Sequence, residues 1–181
     1  MLRPPRPREL IARFPRRWRG NDLLVADDRL LAIYLNDHLA GATIGRERCR
    51  HARERNRGGE LGAFLDRLLR EIEEDRATLR RVMERVAAAE SPVKVAVAVA
   101  VERASRLKPN GGLGSSPLTR LLELEALSLG VEGKRLLWIA LGELGDARLA
   151  EFDFAALAER AREQRDGLER QRLAAARTVL G

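Results

Sequence analysis

The chain has 181 residues, with 34 Lys and Arg against 27 Asp and Glu, one cysteine and 4% aromatic residues. One cysteine excludes an internal disulfide, no apolar run reaches the roughly 18–20 residues that span a bilayer, and no signal-peptide core opens the chain, so the expectation is a soluble, cytoplasmic protein without a membrane partner. The net charge of +7 is concentrated at one end: residues 1–20 hold seven arginines and one glutamate, leaving the other 161 residues at +1.

The first predicted segment, residues 1–26, is an Arg- and Pro-rich extension without periodic apolar positions, the composition of a solvated, disordered arm. Arg3, Arg6, Arg8, Arg13, Arg16, Arg17 and Arg19 within it form a candidate contact for nucleic-acid phosphates or another acidic surface. Such a contact would be salt-sensitive and blind to base sequence. Trp18, with Phe14, is a candidate for docking this arm.

Residues 27–181 read as one all-α domain, because alanine, leucine, glutamate and arginine dominate and β-branched residues cluster in one short run. Asp27 or Asp28 is a plausible N-cap for a first helix to about Arg55, where NRGGE stops it. A second helix follows from Glu60 to about Ala89, its Leu61, Leu65, Leu68, Ile72, Leu79, Val82 and Val86 recurring at helical spacing. VKVAVAVAVERASRL, 93–107, alternates at first like a strand, but a lone strand would have no partner, so a short buried helix is expected. KPNGGLGSSP is a connector. Its glycines lack the Gly-Lys-Ser/Thr ending of a phosphate-binding loop. Ser116 can cap, and Pro117 open, a third helix to about Leu144. Asp153 can cap a fourth.

Short loops make helices one and two, and three and four, antiparallel hairpins, and the segment between them is long enough to travel the length of a bundle. That layout resembles the ferritin-like four-helix-bundle superfamily, with a helical crossover between the second and third long helices. YLNDHLAGATIG, EIEEDR and LELEALSLGVEGKR are similar to an uncharacterised bacterial branch of it. The resemblance implies di-metal chemistry: carboxylates from all four helices, with Glu-x-x-His on two of them, holding Fe or Mn. This chain departs from that set. Glu71-Ile72-Glu73-Glu74 ends in Glu74 where histidine is expected. Glu159, Glu163 and Glu169 are followed three residues on by Arg162, Asp166 and Arg172. The two histidines, His38 and His51, both fall on the first helix.

Three readings of the polar residues on the apolar stripes stay open. A divergent metal site would use His38, Asp75, Glu125 and Glu132, with Glu71 in reserve. A structural reading pairs the carboxylates with bases on the neighbouring helix: counting outward from the loop near residue 148 sets Glu125 by Arg172 and Glu132 by Arg165, and the first turn sets His38 within about one helical turn of Asp75. This reading takes Leu118, Leu121, Leu129, Leu136 and Ile139 as the core stripe of the third helix, leaving Trp138 off it. The third reading is a small-ligand pocket or subunit interface. Cys49 has arginine neighbours that would lower a thiol pKa, yet His51, two residues on, lies on another helix face. The expected function is a non-enzymatic bundle working through association, in particular as a homo-oligomer, with a metal-dependent oxidase or storage protein and a nucleic-acid binder as alternatives.

Overall fold

The computed structural model describes residues 20–91 and 116–181, with side chains from residue 28 onward. It contains four long helices and no strand among those residues: α1, Gly20–Arg55; α2, Gly59–Arg85; α3, Pro117–Glu143; and α4, Phe154–Leu180, with a 3-10 turn at Ala147–Leu149. The Arg-rich residues 3–19, Trp18, the segment 93–107 and the glycine-rich connector lie outside the described residues. No helix among the described residues is long and apolar enough to cross a membrane.

The capping residues act where their chemistry suits them. Ser116 Oγ accepts from Thr119 N at 3.2 Å and Pro117 occupies the first helical position, where a missing N–H costs nothing. Asp153 accepts from Ala156 N at 2.9 Å at the start of α4. Two boundaries differ from the sequence reading. α1 begins at Gly20, inside the extension assigned to 1–26. α2 ends at Arg85 rather than near Ala89, because Ala87 turns into the left-handed region at φ 53°. There Ala87 N donates to Glu84 O at 3.2 Å and Ala88 N to Met83 O at 2.8 Å, the paired bonds that close a helix C-terminus. Asn36, buried on α1, then takes hold of the departing chain: its Nδ2 donates to Ala89 O at 3.0 Å and its Oδ1 accepts from Ser91 N at 2.7 Å.

Each helix packs on two others, α1 and α4 both flanked by α2 and α3. Arg55 at the end of α1 pairs with Glu123 near the start of α3, while Arg148, just past α3, donates to Asp28 on α1 at 2.8 Å. α1 and α3 therefore run antiparallel. So do α2 and α4, since Gln171 reaches Glu60 at 3.1 Å and Arg160 reaches Glu74 at 3.1 Å. On α4 the buried Phe154, Ala161, Leu168 and Ala175 recur every seven residues, and the small members of that seam let α3 lie close. α2 comes up against α4 where the ring of Phe64 covers Gly167: a Cβ there would fall 2.5 Å from the ring edge.

The apolar seam of α3 does not follow the stripe expected from sequence. Leu124, Val131 and Trp138 form one buried seven-residue row, and Leu127 and Leu141 belong to a second. Leu129 is 76% exposed and Trp138 1%, the reverse of the assignment that placed Leu129 in the core and Trp138 off it. The helix is rotated by about one residue step, and α3 has enough leucine for either face to pass as the apolar one.

Candidate functional site: a polar layer and the cavity beside it

The second row of α3 runs Leu127, Lys134, Leu141, so a lysine stands where the repeat calls for leucine. α2 interrupts its row Leu61, Leu68, Val82 with Asp75, and α4 interrupts its apolar side with the buried Gln164. The three interruptions meet. Lys134 Nζ donates to Asp75 Oδ2 and to Gln164 Oε1. Arg160 of α4 donates to the other Asp75 oxygen and, at 3.1 Å, to Glu74. Gln164 Nε2 donates to Glu71 at 2.9 Å. Asp75 is 3% exposed and its two cations neutralise it from two helices. Burial pulls the Lys134 ammonium below the usual lysine range; Asp75 opposes that shift and Arg160 adds to it.

At this level α1 supplies almost nothing. Its Gly41, Ala42 and Gly45 border, with Asp75 and Lys134, a cavity of about 430 Å³ between α1, α2 and α3. His38 lines the same cavity, its ring against Tyr34 with centroids 4.5 Å apart. Burial lowers its pKa and Asp37 works against the shift.

The five metal candidates are thus divided. His38 and Asp75 share the cavity, as the turn geometry implied, but Asp75 is engaged by Lys134 and Arg160 rather than by an imidazole. Glu71 is held by Gln164. Glu125 and Glu132 sit on the edge of α3 facing α4, where Arg172 lies 3.5 Å from Glu125 and Arg165 lies 3.1 Å from Glu132. Arg135 also grips Glu132 at 2.7 Å and, with Arg165, holds its carboxyl below the usual range. These pairs are not buried, contrary to the core position assigned to them: the side chains of Glu132 and Arg165 are 29% and 41% exposed. The rotation of α3 carries them to the rim, where a pair of this kind contributes at most about 1 kcal/mol. Among the described residues no group of three or more His, Cys, Asp or Glu side chains stands as metal ligands would.

No family model, curated protein or solved structure matches the chain. The geometry carries the functional reading by itself.

Sequence reasoning passed over Lys134, Arg160 and Gln164. The signal was present as a seven-residue count: Lys134 is the only charged member of the row Leu127, Lys134, Leu141, whereas Glu125 and Glu132 belong to a different row. The arginines beside Cys49 in sequence do not activate its thiol. Its Sγ is buried and donates to Leu65 O at 3.7 Å, and burial pushes its pKa up to about 12 against the opposing pull of Lys134 and Arg53.

Proposed function

We propose that this protein is a non-enzymatic bundle of ferritin-like layout that acts by associating with a second copy of itself. The observation that carries the reading is the row Leu122, Leu129 and Leu136 on α3, all exposed and one seven-residue period apart, with Ile139 also exposed beside it. Such a row is the seam of a helix pair. It is also symmetric about Leu129, so a two-fold axis there would set Leu122 of one copy against Leu136 of the other, as a self-complementary contact requires. The acids bordering the row, Glu125 and Glu132, are each offset by an arginine of their own chain, which removes the repulsion two such faces would otherwise feel.

The ferritin-like layout is supported by the helix directions. Arg81, near the end of α2, lies 3.4 Å from Glu151 at the corner between α3 and α4, while the start of α3 pairs with the end of α1. The 31 residues 86–116 therefore have a bundle length of about 40 Å to cover, within reach of a helical crossover at ~1.5 Å per residue. A non-enzymatic role without resident Fe or Mn is supported by the occupants of the centre. A metal ion at Asp75 would have to displace Lys134 and Arg160, two cations already in place.

Sedimentation velocity tests the association. The full chain at ~50 µM is expected to sediment as a dimer or a larger closed oligomer, and Leu129→Lys, at a position 76% exposed, as a monomer of unchanged helical circular dichroism. A wild-type monomer at that concentration would refute the reading. Equilibrium dialysis against Fe(II) and Mn(II) is expected to leave the chain without stoichiometric metal; one ion or more per chain, lost on Asp75→Ala, would move the assignment to metal chemistry.

A further inference from the structure

The surface arginines differ between the two ends of the bundle. Toward the end where α3 turns into α4, Arg80 pairs with Glu90, Arg81 and Arg85 with Glu151, and Arg148 with Asp28 and Asp146. Toward the opposite end, Arg57, Arg67, Arg70, Arg170 and Arg177 are all exposed, and among the described residues none of them forms an ion pair. Arg57 stands between α1 and α2, Arg67 and Arg70 in the first half of α2, and Arg170 and Arg177 in the last half of α4.

Helical spacing gathers four of these side chains on the face shared by α2 and α4. Glu60, Phe64, Glu71 and Glu74 are the residues of α2 that meet α4, and Arg67 completes their row at steps of three and four. Its guanidinium stands 6.0 Å from the centroid of the Phe64 ring, a contact that positions the cation without neutralising it. Arg70 follows one turn on. On α4, Arg170 comes three residues after Gly167, which Phe64 covers, and Arg177 two turns later. The acids in these rows leave positive charge in excess: Glu74 is taken by Arg160, Glu60 and Glu71 accept from Gln171 and Gln164, and Glu163 precedes Gly167 by one turn. The face also lacks an apolar anchor. No exposed large apolar side chain lies on α2, and those of α4, Leu173 and Leu180, belong to the side toward α3, where Arg165 and Arg172 meet Glu132 and Glu125.

We propose that this end of the α2–α4 face binds the phosphate backbone of a nucleic acid. The centre of a protein interface is built on apolar and aromatic side chains, and a helix held at a lipid surface inserts an apolar side; neither is offered here. Phosphates need only the guanidinium fork, which matches two of their oxygens at once. The charges are spread rather than convergent, with Arg170 and Arg177 about 10 Å apart along α4 at ~1.5 Å per residue, and that spacing suits an extended polyanion better than a single phosphate. Phosphate contacts carry no sequence information, so the binding is indifferent to base sequence. It does not rest on the self-association proposed above, because α2 and α3 lie diagonally in the bundle and the Leu122–Leu136 row faces away from α2.

The arginines of residues 1–20 are a second source of phosphate contacts, so the bundle is tested in a full-length chain with each of those seven replaced by Gln, which cancels the formal net charge of +7. Fluorescence anisotropy of two labelled ~20-bp duplexes of unrelated sequence, between ~50 and ~200 mM KCl, is expected to show equal binding to both that weakens as salt rises. Arg57→Gln, Arg70→Gln, Arg170→Gln and Arg177→Gln together are expected to weaken binding at least ~10-fold and to flatten the salt slope by ~3. Arg80→Gln, Arg81→Gln, Arg85→Gln and Arg148→Gln remove the same charge from the other end and are expected to leave binding within ~2-fold. Absence of salt-dependent binding, an equal loss in the two sets, or tighter binding to phosphatidylserine vesicles than to the duplexes would each overturn the proposal. The first of these outcomes needs no substitution in the bundle, so a variant that fails to fold leaves the proposal falsifiable.

Discussion

Asp75 and Lys134 show how a buried charge is kept in a small bundle. A lone carboxylate at 3% exposure would be expected to take up a proton or to cost several kcal/mol, and here it is flanked by a lysine and an arginine from two other helices. Such a layer adds little stability compared with leucines, yet breaking it is expensive because the survivor is stranded. Asp75→Ala is therefore expected to lower unfolding stability by about 3–5 kcal/mol in urea titration. Asp75→Leu with Lys134→Met should recover most of that loss, and strictly additive single effects would show that the two do not act as a pair. Asp75 was legible in the sequence as an acid among leucines and valines. Lys134 was legible only as a break in the row Leu127, Lys134, Leu141, and that row stands out only once the seam is known to pass through it.

Elements were legible to the extent that their ends are chemical. Ser116, Pro117 and Asp153 start helices by bonding or sparing the first free N–H groups, an effect local to four residues. The end of α2 was misjudged by four residues, since AAA continues a helix as readily as it ends one and only the grip of Asn36 on residues 89 and 91 draws the chain away. That exit leaves Ala87 at φ 53°, a conformation costing a residue with a Cβ about 1–2 kcal/mol. Ala87→Gly is expected to raise stability by about 0.5–1 kcal/mol, after allowance for the looser unfolded chain, read as a higher melting temperature. A drop instead would mean that the exposed Ala87 side chain contributes packing after all. The rotation of α3 belongs to this scale too. Two leucine rows lie on one helix, and periodicity alone cannot say which faces inward.

For the whole molecule, Cys49 is a reporter of the packed state. The arginines around it in sequence suggested a lowered thiol pKa, whereas its burial in the α1–α2 contact raises it to about 12 from an ordinary 9.0. The neutral thiol is thus favoured by folding: its contribution to stability is whole below pH 9, declines as pH climbs through the interval to 12, and vanishes above it. Two outcomes are expected. Iodoacetamide at pH 8 should modify the native protein only as fast as the bundle opens globally, and Cys49→Ala should flatten the fall in stability between pH 9 and 11. Rapid native-state alkylation would contradict the burial of the thiol.

The sequence by itself determined that the described chain is helical, where most helices begin, and that helices one and two, like three and four, fold back on each other, because these follow from composition, caps and loop lengths acting over a few residues. It also supplied the partners Arg172 and Arg165 for Glu125 and Glu132, by counting from a turn. Tertiary structure alone decided that those pairs lie at the rim, that the charged layer is built on Lys134, Asp75 and Arg160, and that glycines on α1 and α3 surround open space. Those outcomes depend on how each helix is rotated about its axis, and that rotation is fixed by the simultaneous burial of faces on four helices rather than by any one of them.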